Sequence, residues 1–257
     1  MRIAVIGGTG LIGSRLVARL RARDHDVVAA SRATGVNSYT GEGLEAALIG
    51  REVLIDVSNS SYTDEAAARE FFYASTLNLL SYGAAAGVRH HVVLSVVGTD
   101  RLARAEGGYF QAKLQQERLV TTSGRPYTLV HATQFFEFVR SIVDNATHGG
   151  VATLARARIQ PMAAADVADA VADAALTEPA QGVIENAGPE VFELGDLARR
   201  ELRARRDERE VVADPLGTYF GAKLQRDDLL PAGAVRLAPT RFRDWQRQSG
   251  LDLARTQ

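Results

Sequence analysis

Residues 7–13 read GGTGLIG; they follow the short apolar run Ile3–Ile6 and open a helical pattern. Few strings restrict a chain so tightly. Gly7 permits a tight turn, Gly10 lets the backbone approach a pyrophosphate, and Gly13 allows helix and strand to pack closely. The helix then aims its unpaired N–H groups and positive dipole end at the same point. A strand before and a helix after agree with a dinucleotide site, so Gly7, Thr9, Gly10, Leu11, Ile12 and Gly13 are the expected phosphate loop. A purely structural turn is the alternative.

The rest of the chain keeps the rhythm that this opening sets. Short Val-, Ile- and Leu-rich runs at Ile3–Ile6, Asp26–Ser31, Glu52–Val57, His91–Ser95 and Tyr127–His131 read as strands. Helical stretches at Leu11–Arg23, Thr63–Gly87 and Tyr109–Ser123 separate them, the first with Leu11, Ile12, Leu16, Val17 and Leu20 on one stripe and the second capped by Thr63 or Asp64. This order predicts an α/β fold, a doubly wound parallel sheet of Rossmann type. Past about residue 132 the pattern loosens. Gln134–Ala146, Asp166–Leu176, Gly195–Arg206 and Arg241–Leu251 look helical, Gly182–Asn186 looks like a further strand, and VVADP is extended. The expectation is a single Rossmann-type domain over 1–257: a nucleotide-binding core over about 1–155 and a small substrate lobe built mainly from about 188–257. The charge run Arg199–Glu210 reads as a solvated helix face.

Composition excludes several classes. Thirty basic residues against thirty-one acidic ones leave a net charge of −1, so no global field attracts nucleic acid or an anionic membrane. No run approaches the roughly 18 apolar residues of a membrane helix, and the N-terminal run is too short for a secretory core. The absence of cysteine removes disulfides, thiolate metal sites and a Cys nucleophile. Five scattered histidines give no metal-ligand spacing, so no metal site is expected. These features suit a cytoplasmic protein acting on a small molecule, without nucleic-acid or membrane partners; a homodimer is compatible with them.

The end of the second strand selects the nucleotide. An acid there would hold a ribose 2′-hydroxyl, but this chain has Ser31-Arg32 and no acid between Val27 and Gly35. Arg offers a planar charged fork for a 2′-phosphate, which favours NADP(H). Tyr109 and Lys113, four residues apart, project from one helix face. An ammonium beside a phenol should bring its pKa from about 10 toward neutrality, making Tyr109 a proton donor to a carbonyl as hydride arrives. Lys113 could also hold the nicotinamide ribose. The string recurs, however: YFQAKLQ at Tyr109–Gln115 and YFGAKLQ at Tyr219–Gln225. Position assigns chemistry to the first copy, inside the nucleotide-binding repeat, and packing to the second. The chain's two lysines are Lys113 and Lys223, against twenty-eight arginines, so a compact ammonium answers a local demand at each place. Glu117, one further turn on, is placed to pair with Lys113. Ser95 ends the fourth strand at the edge where α/β ligands bind, so it could hold a substrate oxygen or simply bond local backbone. Asn59 could line the cofactor groove or cap the next helix. Gln134-Phe135-Phe136 could flank the nicotinamide, though core packing explains both Phe residues more simply. Asp166 reads as a helix N-cap.

With GGTGLIG, SR, DVSNS, LSVVG and YFQAK, the chain resembles an atypical short-chain dehydrogenase/reductase, and more narrowly the NmrA-like NAD(P)H-binding group. TGEGLEAALIG, HATQFFEF, QPMAAADVADAVADAA and TRFRDW extend the resemblance over nearly the whole chain. It implies a Rossmann core, an NADPH site at Gly7, Gly10, Gly13 and Arg32, a small C-terminal substrate lobe, and Ser95, Tyr109 and Lys113 as a Ser–Tyr–Lys set. Two functions follow as expectations: an NADPH-dependent oxidoreductase acting on a carbonyl or quinone of a small apolar molecule, or a non-catalytic NADP(H)-binding redox regulator working through a protein partner.

Overall fold

The computed structural model describes residues 1–105 and 107–255, and its first half alternates strand with helix. The order is β1 (Arg2–Ile6), α1 (Leu11–Arg21), β2 (Asp26–Ala30), α2 (Leu44–Leu48), β3 (Val53–Asp56), α3 (Glu65–Ala85), β4 (His90–Val96), α4 (Thr99–Arg104), α5 (Gly108–Thr121) and β5 (Tyr127–Ala132). Side-chain alternation along β1 shows why this becomes a covered sheet. Ile3 and Val5 join one core, Ala4 and Ile6 another, and β3 repeats the division with Val53 and Ile55 against Leu54. Strands buried on both faces need helices on both. On one side α1 contributes Ile12, Leu16, Val17 and Leu20; on the other lie Leu44 and Leu48 of α2 and Leu79 of α3.

The second half runs α6 (Val139–Asn145), β6 (Thr147–His148), β7 (Val151–Ala155), β8 (Arg158–Ile159), α7 (Ala164–Ala175), β9 (Gly182–Ala187), β10 (Phe192–Glu193), α8 (Leu194–Ala204), β11 (Glu210–Asp214), β12 (Thr218–Tyr219), β13 (Ala222–Lys223), β14 (Arg236–Leu237) and α9 (Phe242–Arg255). Two of these strands return to the main sheet, whose order is β14-β9-β5-β4-β3-β1-β2 with every neighbour parallel. The fold is therefore the doubly wound, Rossmann-type α/β sheet. Because β1 lies between β2 and β3, successive connections leave it in opposite directions and open a crevice at the carboxyl ends of the strands. Helix α7 lies against α1 through Val167, Ala168 and Val171, and Arg19–Asp169 (2.6 Å) and Arg23–Asp173 (3.1 Å) edge that contact. The smaller sheet β11-β7-β6 packs with α6 and α8 into a separate core that also receives Tyr109 and Phe110 of α5.

Three expectations change. Leu11 leaves the buried stripe of α1 and is 41% exposed, because the first turn projects it toward the crevice. The helix expected over Gln134–Ala146 starts at Val139, after a single 3-10 turn at Phe136–Phe138. Gln134 stays extended because its carbonyl accepts from Met162 N–H (2.8 Å) while Phe136 N–H donates to the Met162 carbonyl (3.0 Å). Asp166 does not cap α7, whose N-cap is Ala163; its carboxylate instead accepts from the Thr240 amide (3.1 Å) and hydroxyl (2.9 Å), tying the C-terminal segment to the helix. Asp64, rather than Thr63, caps α3 through Ala67 N–H. Among the described residues no helix is long and apolar enough to cross a membrane.

Candidate active site

A cleft of about 960 Å³ follows the carboxyl ends of the strands from β2 to β4. Gly7, Thr9, Gly10, Leu11, Ile12, Ser31, Arg32, Asn59, Ser95, Tyr109 and Lys113 all line it, so most residues selected from the sequence meet in one place. Gly13 lies beneath. A Cβ on Gly13 would stand 2.0 Å from the Gly7 carbonyl oxygen, while Gly7 itself turns the chain at φ +78°. Gly10 precedes α1 and is exposed; Ser14 N–H is the first to bond back, to the Gly10 carbonyl (3.0 Å), which leaves the first-turn N–H groups facing the cleft.

The β2 end fits a phosphorylated ribose. Ser31 N–H donates to Thr34 Oγ1 (2.9 Å) and the Ser31 carbonyl accepts from Thr34 N–H (2.9 Å), but the buried Ser31 Oγ has no partner among the described residues. The Arg32 guanidinium is exposed beside it and likewise has no hydrogen bond or ion pair among them. An orphaned hydroxyl, an unpaired guanidinium and a helix N-terminus in one groove are donors onto which the phosphates of a dinucleotide would fit.

At the other end α5 presents three successive turns. Tyr109 is buried, and its Oη donates to Asn59 Oδ1 (2.7 Å); Asn59 Nδ2 donates in turn to Tyr62 Oη (3.0 Å). Lys113 Nζ, 4.7 Å from the Phe72 ring centroid, donates to the Leu94 carbonyl (2.9 Å) and to Gln116 Oε1 (2.5 Å). Gln116 Nε2 donates to Asp56 Oδ2 (3.0 Å), and Asp56 Oδ1 accepts from Ser58 N–H (2.9 Å) and Oγ (2.6 Å). A second buried set joins Ser95, whose Oγ donates to Glu117 Oε1, with His131, whose Nε2 lies 3.1 Å from the same oxygen.

Two electrostatic expectations are corrected here. Burial pushes the Tyr109 phenol well above its ordinary value, reinforced by the neighbouring Tyr62 and Tyr219 hydroxyls and opposed by Asn59. Lys113 does not draw it down, because its ammonium points into the Leu94 carbonyl and Gln116. Burial moves Lys113 itself down to about 8, against the pull of Asp56 and Glu117. Glu117 does not hydrogen-bond Lys113. Burial works against its charge, yet the nearby His131 ring and the Ser95 hydrogen bond hold the carboxyl below its usual range. Burial raises Asp56, against Ser58, Lys113 and Gln116.

The second YFxAK string forms no helix. It makes the hairpin β12–β13, with Phe220 (φ +46°) and Gly221 (φ +84°) at its turn and Tyr219 buried 6.1 Å from the Phe110 ring. Lys223 is exposed. Sequence reasoning passed over Asp56, Tyr62, Gln116 and Phe138. Asp56 was discoverable as the lone carboxylate in an apolar strand, and Gln116 as the residue three after Lys113; Tyr62 sits in a loop without periodic signal. Among the described residues no three His, Asp or Glu side chains form a metal-binding group.

The sequence profile of the NAD dependent epimerase/dehydratase family matches residues 3–136, just over half of the chain, from β1 through β5. The chain belongs to that family. Membership accounts for the glycine loop and the short-chain dehydrogenase/reductase character of the core. A curated relative, Photosystem II assembly factor Ycf39 of Synechocystis, is 24% identical over 151 residues, 53% of this chain and 46% of that protein, so the match spans less than half of the relative's length. Among solved structures, MoeE5 in complex with UDP-glucose and NAD superposes with a TM-score of 0.73 at 18% identity, covering 97% of this chain and 99% of that one. The NADPH-dependent quinone oxidoreductase QOR2 of Escherichia coli, complexed with NADPH, gives 0.63 at 22% identity over 84% of this chain and 78% of its own. At these identities the two structures establish the shared fold.

Proposed function

We propose that this family member is an NADPH-dependent oxidoreductase that transfers hydride to a carbonyl or quinone of a small apolar molecule. The observation carrying this reading is that one cleft joins the glycine loop and Arg32 at one end to Tyr109 and Lys113 at the other. The first-turn amides of α1 would hold the pyrophosphate, Ser31 and Arg32 the 2′-phosphate, and Lys113 the nicotinamide ribose; Asn59 and the glycine-loop residues complete the groove. When bound, the reduced nicotinamide supplies the hydride. Tyr109 stays a neutral phenol at ordinary pH, so it can donate a proton to an oxygen gaining charge. Ser95 does not assist it in this arrangement, because its single proton is committed to Glu117 and a lone pair cannot hold an acceptor-only carbonyl oxygen. The NmrA-like resemblance supports a C-terminal lobe that shapes the substrate end. The NADPH-bound quinone oxidoreductase of the same fold adds weight to NADPH and to a quinone acceptor.

A screen of NADPH oxidation against ketones, enones and quinones, with Kd measured for both nucleotides, tests this. NADPH should bind more tightly than NADH, and Tyr109→Phe should lower carbonyl turnover at least about 100-fold while leaving NADPH affinity unchanged. NADH binding equally well would discard the NADPH assignment. One observation favours the regulator as a second reading: the Tyr109 hydroxyl is closed off by Asn59 and its ring by Tyr62. A protein that binds NADPH and reduces none of these acceptors would move the assignment there.

A further inference from the structure

Tyr62 lies on the loop between β3 and α3, and its ring packs against the proposed acid. The centroids of Tyr62 and Tyr109 are 4.3 Å apart, with Phe138 at 4.8 Å and Phe220 at 5.1 Å from Tyr62. The Tyr62 oxygen accepts from Asn59 Nδ2, the amide whose oxygen receives the Tyr109 proton. A planar six-membered ring bearing an oxygen thus already sits where a substrate of the proposed reductase would have to sit. Tyr62 also lines a second cavity, of about 510 Å³, walled by Ile142, Leu154, Leu216, Tyr219 and Phe220, and so forms the partition between the two spaces. The loop that carries it is tied to the fold at its ends, by Asp56 to Ser58 and by the Asp64 cap; between them the side-chain bonds are local, Asn59 to Tyr62 and Ser61 to Thr63, apart from the Tyr109 contact.

Charge narrows what could replace the ring. Among the described residues, the basic side chains lining the two cavities are Arg32, Lys113 and His148. Lys113 has two of its three donors on internal acceptors and the third is assigned to the nicotinamide ribose, and Arg32 follows β2, three strands or roughly 14 Å from β4. The second cavity sets two carboxylates, Glu65 and Asp214, against the one imidazole of His148. A sugar diphosphate would meet carboxylates there with no guanidinium beside Tyr62 to offset them.

We propose that Tyr62 occupies the substrate's place, and that the substrate is an uncharged quinone-type ring that displaces it toward the second cavity. This rests on the reductase reading above. The carbonyl oxygen of such a ring would accept from Asn59 Nδ2 where the Tyr62 hydroxyl now does, and the Tyr109 proton would turn to it from Asn59 Oδ1. Two donors facing one acceptor-only oxygen is the matching arrangement. Reduction then takes one hydride, with its electron pair, from the reduced nicotinamide and one proton through Tyr109, replenished from solvent, and yields the hydroquinone and oxidised nicotinamide.

The test is calorimetric titration of the NADP+-saturated protein, which cannot turn over, with menadione as the uncharged quinone and UDP-glucose as the charged alternative. Tyr62→Ala should bind menadione at least about tenfold more tightly than wild type, because an internal competitor has been removed. Tyr62→Phe, which keeps the ring and loses the Asn59 bond, should fall between, and UDP-glucose should give no binding heat. NADP+ affinity should be the same in all three proteins. Weaker or equal menadione binding by Tyr62→Ala overturns the proposal, since the ring would then be wall rather than occupant; UDP-glucose binding overturns the substrate class. Should Tyr62→Ala fail to fold, Tyr62→Phe decides: tighter than wild type supports displacement, and equal or weaker refutes it. Refutation with NADP+ bound leaves the reductase reading standing, whereas a wild-type protein that binds no NADP+ removes both.

Discussion

Two glycines of the loop differ by more than an ångström in the room they leave, and the difference separates folding from binding. A Cβ at Gly13 would meet the Gly7 carbonyl oxygen at 2.0 Å, a clash with backbone that cannot swing aside. At Gly10 the nearest atom, the same oxygen, is 3.3 Å away and the other side opens on the cleft. Gly13→Ala should therefore cost about 3 kcal/mol or more and yield little folded protein. Gly10→Ala should melt close to wild type yet bind NADPH at least about tenfold more weakly, because its methyl intrudes where the pyrophosphate passes. Thermal melting and nucleotide titration of the pair check this; equal losses in both would refute it. Lys113 gives the second residue-scale prediction. With its pKa moved down to about 8, it is cationic below that pH and neutral above. The kcat/KM for NADPH should fall above about pH 8, and Gln116→Leu, by removing an acceptor of the ammonium, should move the fall to lower pH. A profile flat to pH 10 would contradict this.

At the scale of elements, the two YFxAK strings test how much a motif specifies. They differ at one position, Gln111 against Gly221, yet one is a turn of α5 and the other a two-residue hairpin. Positive φ at both Phe220 and Gly221 is the geometry of a type I′ turn, which suits the strand twist and which glycine adopts freely. Gly221→Gln, which makes the strings identical, should destabilise the protein by about 1–2 kcal/mol through left-handed strain while leaving NADPH affinity unchanged. A variant that melts as wild type would mean that context alone sets the turn. The same comparison shows what a sequence can reveal. Strands β1 to β5 were legible because each is a short apolar run, and the loop GGTGLIG because strand and helix frame it. The two-residue strands of the lobe are too short to show a period. Gln134 and Asp166 were misread because their partners, Met162 and Thr240, lie 28 and 74 residues away, and only the fold supplies them. The site divides in the same manner. Tyr109 and Lys113 share a helix face and were visible together, whereas the Asn59–Tyr109 and Asp56–Gln116 bonds cross 50 and 60 residues.

For the molecule as a whole, one contribution to acid sensitivity lies at the amino end of β4, in the middle of the seven-stranded sheet. His90 and His91 are both buried there; His90 Nε2 lies 2.8 Å from Thr128 Oγ1, while His91 Nε2 has no partner among the described residues. Burial, then the neighbouring His90, moves His91 from 6.5 down to about 4, and burial lowers His90 as well. The folded state therefore binds fewer protons than the unfolded chain below about pH 6.5, and stability falls as pH drops toward 4. For His91 the loss between pH 7 and pH 5 is roughly 2 kcal/mol, at 1.36 kcal/mol for each unit. Asp56 acts in the opposite direction, since a carboxyl raised by burial favours the fold as it protonates. A wild-type melting curve alone mixes the two. The His91→Leu variant separates them, because it keeps the bulk of the side chain and removes only the imidazole's titration. Wild type should lose several more degrees of Tm than His91→Leu between pH 7 and pH 5. Parallel losses in the two proteins would show that the imidazole is charged inside the fold, and would place the acid-sensitive group among the carboxylates.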